Sequence, residues 1–374
     1  MDQLDHRQLN RATLGRQLLL RRAARPARAA VEHLAGLQAQ APLAPYVGLW
    51  ARLEGFGHQD LEDLLTERIV VRAHLMRNTV HLVTAADFVR FRPLFQPLME
   101  RALAGSFGRH LGGIDLAELR ETAGVLLAET PLTRGQLAER LSLRWPENDP
   151  ASLAYAATHL LHLVQVPPRG LWGRSGRATW FLASAWIEGA LRDGLASPAL
   201  DVNTGLEQLV LRYLGAYGPA TVRDIQAWSG LSRLREVTDR LGPRLRTFAG
   251  PGGAELFDLP DAPRPDGNVP APPRFLPEYD NLLLSFADRS RVIPGRRPVP
   301  LPAGPGATTG TVLIEGFWEA DWTITRGRDR AVLEIRPFGA LGVARQDAIG
   351  AEGSRLLEFA APAVAHDVRF CTAS

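Results

Sequence analysis

Residues 116–141 read LAELRETAGVLLAETPLTRGQLAERL, and this stretch decides the fold. Apolar residues recur at helical spacing over 116–129, and the segment TPLT at 130–133 ends that helix and caps a second one over 134–141. The pattern predicts a third helix over 152–164. These three helices in succession indicate a helix-turn-helix.

Two short strands are predicted after the third helix, at 164–166 and 178–181. Between them lies the segment PPRGLWGRSGR at 167–177, whose proline and glycine residues favour a loop. The loop carries Arg169, Arg174 and Arg177. A helix-turn-helix followed by a strand pair around such a loop is typical of a winged helix.

The same plan is predicted twice more. The third copy has helices over 206–217, 221–228 and 232–241, then strands over 245–248 and 255–259. The first copy is less regular, with helices over 9–20, 26–37, 43–53 and 60–67 and strands over 69–74 and 78–83. We therefore predict an α+β chain with three tandem winged-helix units, which span residues 1–113, 114–200 and 201–262.

A different pattern follows residues 260–273, which are rich in proline and glycine and read as a linker. Short strands are predicted beyond it, at 282–286, 311–314, 318–325 and 331–335. The region 274–374 is expected to form a small antiparallel β-barrel or sheet. Its sharpest hairpin carries three arginines at the tip: Arg326, Arg328 and Arg330.

Length and composition indicate a soluble multidomain protein. The chain has 374 residues, enough for two to four modules, and its 45% hydrophobic and 22% charged content is ordinary for a globular protein. We find no run of ~20 apolar residues and no basic N-terminal segment followed by an apolar core. We expect a cytoplasmic protein of a bacterium, associated with the nucleoid when it is bound to DNA.

Two residue types constrain the chemistry. The single cysteine, Cys371, excludes an intramolecular disulfide framework and a cysteine-based metal cluster. The chain contains no lysine, so all 43 basic residues are arginine, and Schiff-base catalysis is left to the N-terminal amine alone. The net charge of +3 fits a nucleic-acid partner without requiring one.

The segment LQAQAP at 37–42 places two glutamines around one alanine. We expect the helix over 26–37 to end near Pro42, so the local backbone need not be helical and both amides can enter a cleft. The alternative is that Gln38 and Gln40 are solvated side chains at the end of a helix.

A second polar pattern is RAHLMRNTVHLV at 72–83. Side chains alternate along a strand, so Arg77, Thr79 and His81 are expected to share one face. That face either meets a ligand or is the solvent side of a wing. A further alternative makes His81 a buried wing residue bonded to backbone.

These motifs together resemble a known family. The matching residues are Leu-Gln-Ala-Gln at 37–40, Arg-x-Thr-x-His-Leu at 77–82 and Leu-Pro-Glu-Tyr-Asp-Asn-Leu-Leu at 276–283. They are similar to those of the AlkZ-like winged-helix DNA glycosylases, a group that includes YcaQ, and the resemblance spans nearly the whole chain. It implies catalytic roles for Gln38 and Gln40.

The resemblance also implies a substrate and a reaction. Such enzymes excise purines alkylated at N7 or N3 by a monofunctional mechanism, some unhook interstrand crosslinks, and none needs a metal or an organic cofactor. With glutamine at both 38 and 40, the motif resembles that of the self-resistance enzymes of antibiotic producers. Another subgroup of the family has aspartate at the second of these two positions. The expected partner is double-stranded DNA with alkylated purines, bound by a monomer.

Ten residues are expected to contact DNA or the lesion: Arg72, Arg77, Thr79, His81, Arg169, Arg174, Arg177, Arg326, Arg328 and Arg330. Two rival functions use the same winged-helix repeats. In a transcriptional regulator without catalysis, the arginine-rich loops hold DNA and the glutamines have no chemical role. A protein-interaction scaffold explains the repeats but not the resemblance around the glutamines.

Overall fold

The computed structural model describes residues 2–191, 201–297 and 309–371, which have a mixed α+β fold. The chain divides into two compact units. Unit 1 comprises residues 1–57, 210–228 and 234–374, and unit 2 comprises 58–209 and 229–233. In the described part of the chain no helix is both long and apolar enough to traverse a bilayer.

The helices of the described residues are α1 (His6–Arg16), α2 (Ala27–His33), α3 (Ala44–Trp50), α4 (His58–Thr66), α5 (Ala85–Phe91), α6 (Gln96–Phe107), α7 (Leu116–Glu129), α8 (Arg134–Ser142), α9 (Pro150–Leu160), α10 (Ala183–Leu191), α11 (Val202–Tyr217), α12 (Val222–Ser229), α13 (Leu234–Leu241), α14 (Asn281–Leu284) and α15 (Val343–Ala360).

The strands are β1 (Leu37–Gln38), β2 (Val70–His74), β3 (Val80–Thr84), β4 (Leu132–Thr133), β5 (Leu163–Val166), β6 (Thr179–Leu182), β7 (Arg246–Ala249), β8 (Glu255–Asp258), β9 (Arg274–Leu276), β10 (Gly310–Ile314), β11 (Phe317–Arg326), β12 (Arg330–Pro337) and β13 (Ala365–Phe370).

Unit 2 contains residues 116–141, for which the sequence predicts two consecutive helices. Helix α7 has the predicted bounds, and α8 begins after a capping box in which Thr133 and Gln136 bond each other's backbone N–H groups at 3.3 and 2.9 Å. The strands of this unit lie in the order β3-β2-β5-β6-β4. The stretch thus supplies one edge strand and two helices that pack on this sheet.

The third helix of this copy is shorter than predicted. Helix α9 ends at Leu160, not at 164, because Leu161 adopts an extended conformation with ψ of 154°. Residues Leu163–Val166 then pair with β6 as strand β5. Residues 192–200, the end of the predicted second unit, lie outside the described residues.

The C-terminal sheet of unit 1 has the strand order β13-β12-β11-β10-β9. It differs from the predicted all-antiparallel arrangement, because β13 pairs parallel to β12. Helix α15 connects these two strands, and a parallel pair needs a crossover of that length. Neither α15 nor β13 was predicted from the sequence.

The strand predicted at 282–286 is also wrong. Residues Asn281–Leu284 form helix α14, because the Asp280 side chain accepts a hydrogen bond from the Leu282 N–H at 3.0 Å and caps the turn. The apolar run LLL is buried in either conformation, so hydrophobicity alone does not separate helix from strand here.

Ion pairs that are buried, or for Arg22 partly buried, join distant segments of unit 1. Each links an arginine of the first 57 residues to an acidic residue beyond position 250. The pairs are Arg16 with Asp258 at 2.6 Å, Arg22 with Glu352 at 2.7 Å and Arg52 with Asp280 at 2.8 Å. Since an unpaired charge in these places would be costly, the pairs specify which segments pack together.

Candidate active site

The approach to the glutamines is set by the end of helix α2. The Gly36 N–H donates to the Val31 carbonyl at 3.0 Å and the Ala35 N–H to the Glu32 carbonyl at 3.1 Å, which is a Schellman motif. Ala35 has φ of 55° and Gly36 has φ of 92°. The helix therefore ends at His33, well before Pro42, and the chain leaves it extended.

The glutamines follow directly on strand β1. Gln38 is buried, with 6% of its surface exposed, whereas Gln40 is exposed. The side-chain Oε1 of Gln38 accepts a hydrogen bond from the backbone N–H of Gln40 at 3.0 Å. The two amides are thus unequal: one is buried and fixes the local backbone, and the other belongs to an exposed residue.

The segment LPEYDNLL at 276–283 packs beside the segment that carries the glutamines. Asn281 is buried and donates from Nδ2 to the Gly36 carbonyl at 3.0 Å. A Cβ on Gly48 would lie 3.3 Å from Leu37 and 3.8 Å from Pro277, so both segments pack against the same point of helix α3. Two motifs that are separate in the sequence therefore form one substructure of unit 1.

The second polar pattern, in unit 2, is a turn rather than the predicted strand face. Arg77 and Asn78 lie in a short 3-10 turn, Met76–Asn78, between β2 and β3. Their φ angles are 54° and 55°, and the left-handed conformation costs a residue with a Cβ about 1 kcal/mol or more. Strain at two neighbouring residues is a common mark of a functional turn.

His81 lies on β3 and is completely buried. Its Nδ1 is 3.0 Å from the Thr79 carbonyl and its Nε2 is 3.4 Å from Nη2 of Arg77. Burial lowers the pKa of His81 to about 3, with a further contribution from the Arg77 charge. A neutral ring therefore donates to Thr79 and accepts from Arg77. Arg77 and Thr79 are half-buried, so His81 lies behind them.

Arg72 is buried beneath the loop 167–177. Its Nη1 donates to the Arg169 carbonyl at 3.3 Å, and a Cβ on Gly170 would lie only 2.9 Å from Cδ of Arg72. Gly170 also has φ of 97°, so glycine is required at this close approach. Arg72 thus supports the loop from inside unit 2.

The loop itself is held at several further points. The Trp172 N–H donates to Oε1 of Glu62 at 2.8 Å, and the Trp172 ring stacks on His58 at 3.9 Å between centroids. Nη1 of Arg169 donates to the Gly176 carbonyl at 2.6 Å. Arg174 and Arg177 are exposed.

The predicted arginines of the C-terminal hairpin flank its turn: Arg326 is the last residue of β11, Arg330 is the first of β12 and Arg328 lies between the strands. Arg326, Arg328 and Arg330 are all exposed. Nη2 of Arg326 donates to the Ala360 carbonyl at 3.2 Å, and Nη1 of Arg330 is 3.8 Å from Asp367. Arg328 is the residue at the tip of this hairpin in unit 1.

Comparison with known proteins identifies the family. The sequence model described as "DNA glycosylase AlkZ-like" matches residues 31–359, well over half of the chain. The chain belongs to the AlkZ-like DNA glycosylase family. This membership assigns DNA glycosylase activity and DNA as the substrate to the AlkZ-like chain.

A solved structure has the same fold. It is the Streptomyces sahachiroi DNA glycosylase AlkZ, with a TM-score of 0.77 and 20% sequence identity over 99% of this chain and 100% of that chain. At this identity the likeness concerns the fold of the AlkZ-like chain. A comparison with curated protein sequences gave no match.

Two residues that shape the glutamine site, Asn281 and Ala35, were not identified from the sequence. Asn281 belongs to the segment 276–283, but its contact with Gly36 joins positions 245 residues apart. The left-handed Ala35 has no residue signature of its own. In the ranges 2–191, 201–297 and 309–371, no three His, Cys, Asp or Glu side chains are grouped as metal ligands.

Proposed function

We propose that this AlkZ-like glycosylase excises purines alkylated at N7 or N3, bulky antibiotic adducts and interstrand crosslinks among them, with Gln38 and Gln40 as its catalytic residues. It acts by a monofunctional mechanism without metal or cofactor, as a monomer on the DNA of the bacterial nucleoid. The observation that carries this proposal is the bond from the Gln40 N–H to Gln38 Oε1, which fixes one amide beside an exposed one.

The chemistry suits a pair of amides. Alkylation at N7 of guanine or N3 of adenine leaves the base positively charged, so the glycosidic bond is already weakened and the base departs without a strong acid. What remains is to stabilise an oxocarbenium-like sugar and to hold a water at C1′, and fixed dipoles do both. Uracil or undamaged guanine would need much more help to leave.

Each glutamine has a distinct part in this proposal. An amide has no proton-accepting pKa near neutrality, so neither residue acts as a general base. The exposed Gln40 carbonyl orients the water and faces the developing positive charge. Gln38 keeps the Gln40 backbone in place, and the second lone pair of its carbonyl oxygen also faces the cation.

We further propose that the helical part of the chain is three tandem winged-helix units, 1–113, 114–200 and 201–262, and that 274–374 is a β domain. The element order α7-β4-α8-α9-β5-β6, with β4 and β6 paired at Leu132 and Trp180, supports this for the second unit. DNA phosphates then meet two arginine-rich loops. Their exposed arginines are Arg174, Arg177, Arg326, Arg328 and Arg330, with Arg169 bracing the first loop.

In the turn of unit 2, Arg77 and Thr79 are proposed to contact the DNA or the lesion. Arg72 and His81 are buried, so their proposed part is to support these contacts from behind. In this proposal eight of the ten residues expected at the DNA contact it or brace a contacting loop, and the other two, Arg72 and His81, support these contacts from the interior.

The decisive experiment is incubation with duplex DNA that carries N7-methylguanine, followed by mass spectrometry for the released base. We expect free N7-methylguanine, unchanged activity after chelation, and an abasic product that breaks only after alkali, since no lysine is present for β-elimination. Strand scission without alkali, or loss of activity to the chelator, would overturn the mechanism. Tight binding of one undamaged sequence without base release would support a regulator instead.

A further inference from the structure

The turn at Arg77 and Asn78 has a second buried histidine behind it. His159 of helix α9 has 1% of its surface exposed. Its Nε2 lies 3.0 Å from Nδ2 of Asn78, and its Nδ1 lies 2.9 Å from the Tyr155 carbonyl. Because Nδ1–H donates to that carbonyl, Nε2 is the acceptor and the Asn78 amide is the donor.

This arrangement repeats the one at His81. There Nδ1–H donates to the Thr79 carbonyl and Nε2 accepts from Arg77. Each of the two left-handed residues is therefore bonded through its side chain to the Nε2 atom of a buried imidazole. In both cases a backbone carbonyl selects the tautomer.

Both rings have to be neutral for these bonds to exist, because a protonated Nε2 would be a donor facing a donor. Burial lowers the pKa of His159 to about 4, with the charges of Arg134 and Arg92 adding to the effect. The pKa of His81 is lowered to about 3. At neutral pH both histidines are acceptors.

The surroundings hold His159 in one place. Tyr155 stacks on its ring at 4.1 Å between centroids, and Phe107 stacks on Tyr155 at 4.0 Å. The turn is confined on another side by Gly230, where a Cβ would lie 3.2 Å from the Arg77 Cα. The Arg77–Asn78 backbone is thus fixed by packing and by two directed hydrogen bonds.

We propose that Asn78 and His159 form a positioning pair that keeps the strained turn in its left-handed conformation. His81 in turn holds the Arg77 side chain in one orientation through the bond to its Nε2 atom. The pair acts through Arg77, which it presents to the DNA in one orientation. This inference rests on the proposed function, in which the turn contacts the DNA. Pre-organised contacts of this kind contribute to the transition state because no reorganisation is needed on binding.

The test compares three variants in single-turnover excision of N7-methylguanine at pH 7.5. Asn78→Gly can adopt the left-handed backbone without strain, but it removes the amide and nothing then holds that conformation, because glycine is equally free at negative φ. His159→Phe retains the stacking on Tyr155 but removes the acceptor. Each should slow excision by about tenfold, the usual effect of one hydrogen bond. The double variant should be no slower than either single one, because both lose the same bond.

Control variants separate this pair from a general loss of folding. His159→Gln offers an amide oxygen near the Nε2 position and should recover part of the rate, while the exposed His110→Phe should excise at the wild-type rate. Thermal midpoints are measured for all variants. If Asn78→Gly is folded and excises at the wild-type rate, or if the two single effects multiply in the double variant, the positioning pair is overturned.

One further variant distinguishes this outcome from failure of the proposed function. Arg77→Met removes the charge that the turn presents. If it slows excision while Asn78→Gly and His159→Phe do not, the DNA contact stands and the positioning pair is wrong. If Arg77→Met excises at the wild-type rate, the turn does not serve the reaction and the proposed function of this site is wrong as well.

Discussion

The side-chain oxygen of Gln38 accepts a hydrogen bond from the backbone N–H of Gln40 at 3.0 Å, so the first glutamine fixes the position of the second. Gln38 is buried and Gln40 is exposed. Their substitutions should therefore differ in kind as well as in size.

Alanine at either glutamine should slow single-turnover excision by about 10²-fold or more, the range for the loss of one preorganised polar group. DNA affinity and the thermal midpoint should barely change for Gln40→Ala, because its side chain is exposed. Rates on N7-methylguanine duplex provide the measurement. Wild-type rates for both variants would make the motif structural.

Acidic substitutions separate the two roles. Gln38→Glu keeps an oxygen that accepts from the Gln40 N–H, and it should excise faster than Gln38→Ala. Gln40→Asp adds a negative charge that faces the developing cation and should retain more activity than Gln40→Ala. Equal rates for the acidic and alanine variants would show that neither oxygen is used.

Salt should weaken DNA binding uniformly across sequences, because arginines that meet phosphates release counterions. Arg174→Gln and Arg177→Gln should each reduce the slope of log K against log salt by roughly 1. Arg144→Gln is the matched control and should leave the slope unchanged, because Arg144 is exposed but already paired with Glu118 at 2.5 Å. An unchanged slope in both loop variants, measured by fluorescence anisotropy, would remove the loop from the interface.

Acid should destabilise the protein through His81. Burial lowers the pKa of His81 to about 3, below its ordinary value of 6.5, so below pH 6.5 the unfolded chain binds a proton that the folded chain does not. The free energy of unfolding should fall between pH 6.5 and about 3, by at most about 1.4 kcal/mol per pH unit for this one group. Urea unfolding at several pH values measures the slope.

The variant His81→Asn provides the comparison. Asparagine can still donate to the Thr79 carbonyl but does not titrate. Below pH 6.5 the free energy of unfolding should therefore depend less steeply on pH, by the amount that corresponds to one bound proton. Its stability at pH 7.5 serves as the reference point. A slope equal to that of the wild type would mean that His81 does not control this pH dependence.

Breaking the buried pair of Arg52 and Asp280 should cost about 3–5 kcal/mol, because Asp280→Leu leaves the guanidinium uncompensated in the interior. The double variant Arg52→Met with Asp280→Leu should recover much of that loss, since both charges are gone. Chemical denaturation gives the unfolding free energies. A single variant as stable as the double one would mean that the pair is not desolvated as described.

The sequence predicts elements well where their signals are local. Helix α7 has its predicted bounds because a cap at Asp115 and the segment TPLT lie beside its ends. By contrast, α14 was predicted as a strand, because three leucines in a row are buried in both conformations. The parallel strand β13 depends on pairing with β12, which no local pattern specifies.

The site was predictable in its residues but not in its contacts. The glutamine pair and the Arg-x-Thr-x-His pattern are visible as motifs, whereas the burial of His81 and Arg72 follows from packing across unit 2. Asn281 reaches Gly36 across 245 positions of sequence, so only the folded chain reveals that support. The alternation of side chains favoured one strand face for Arg77, Thr79 and His81, whereas Arg77 lies in a left-handed turn.

The discontinuity of unit 1 has a consequence for synthesis on the ribosome. Residues 58–209 of unit 2 emerge from the ribosome as one block. By contrast, the acidic partners of Arg16, Arg22 and Arg52 are translated 228 to 330 residues after those arginines. At about 5–20 residues per second this delay is roughly 10 to 70 seconds. The nascent chain should therefore carry a folded unit 2 beside an unfinished N-terminal segment, which is exposed to chaperones and proteases during that time. Because the glutamines obtain the support of Asn281 only after that residue leaves the exit tunnel, catalytic competence is expected late in translation.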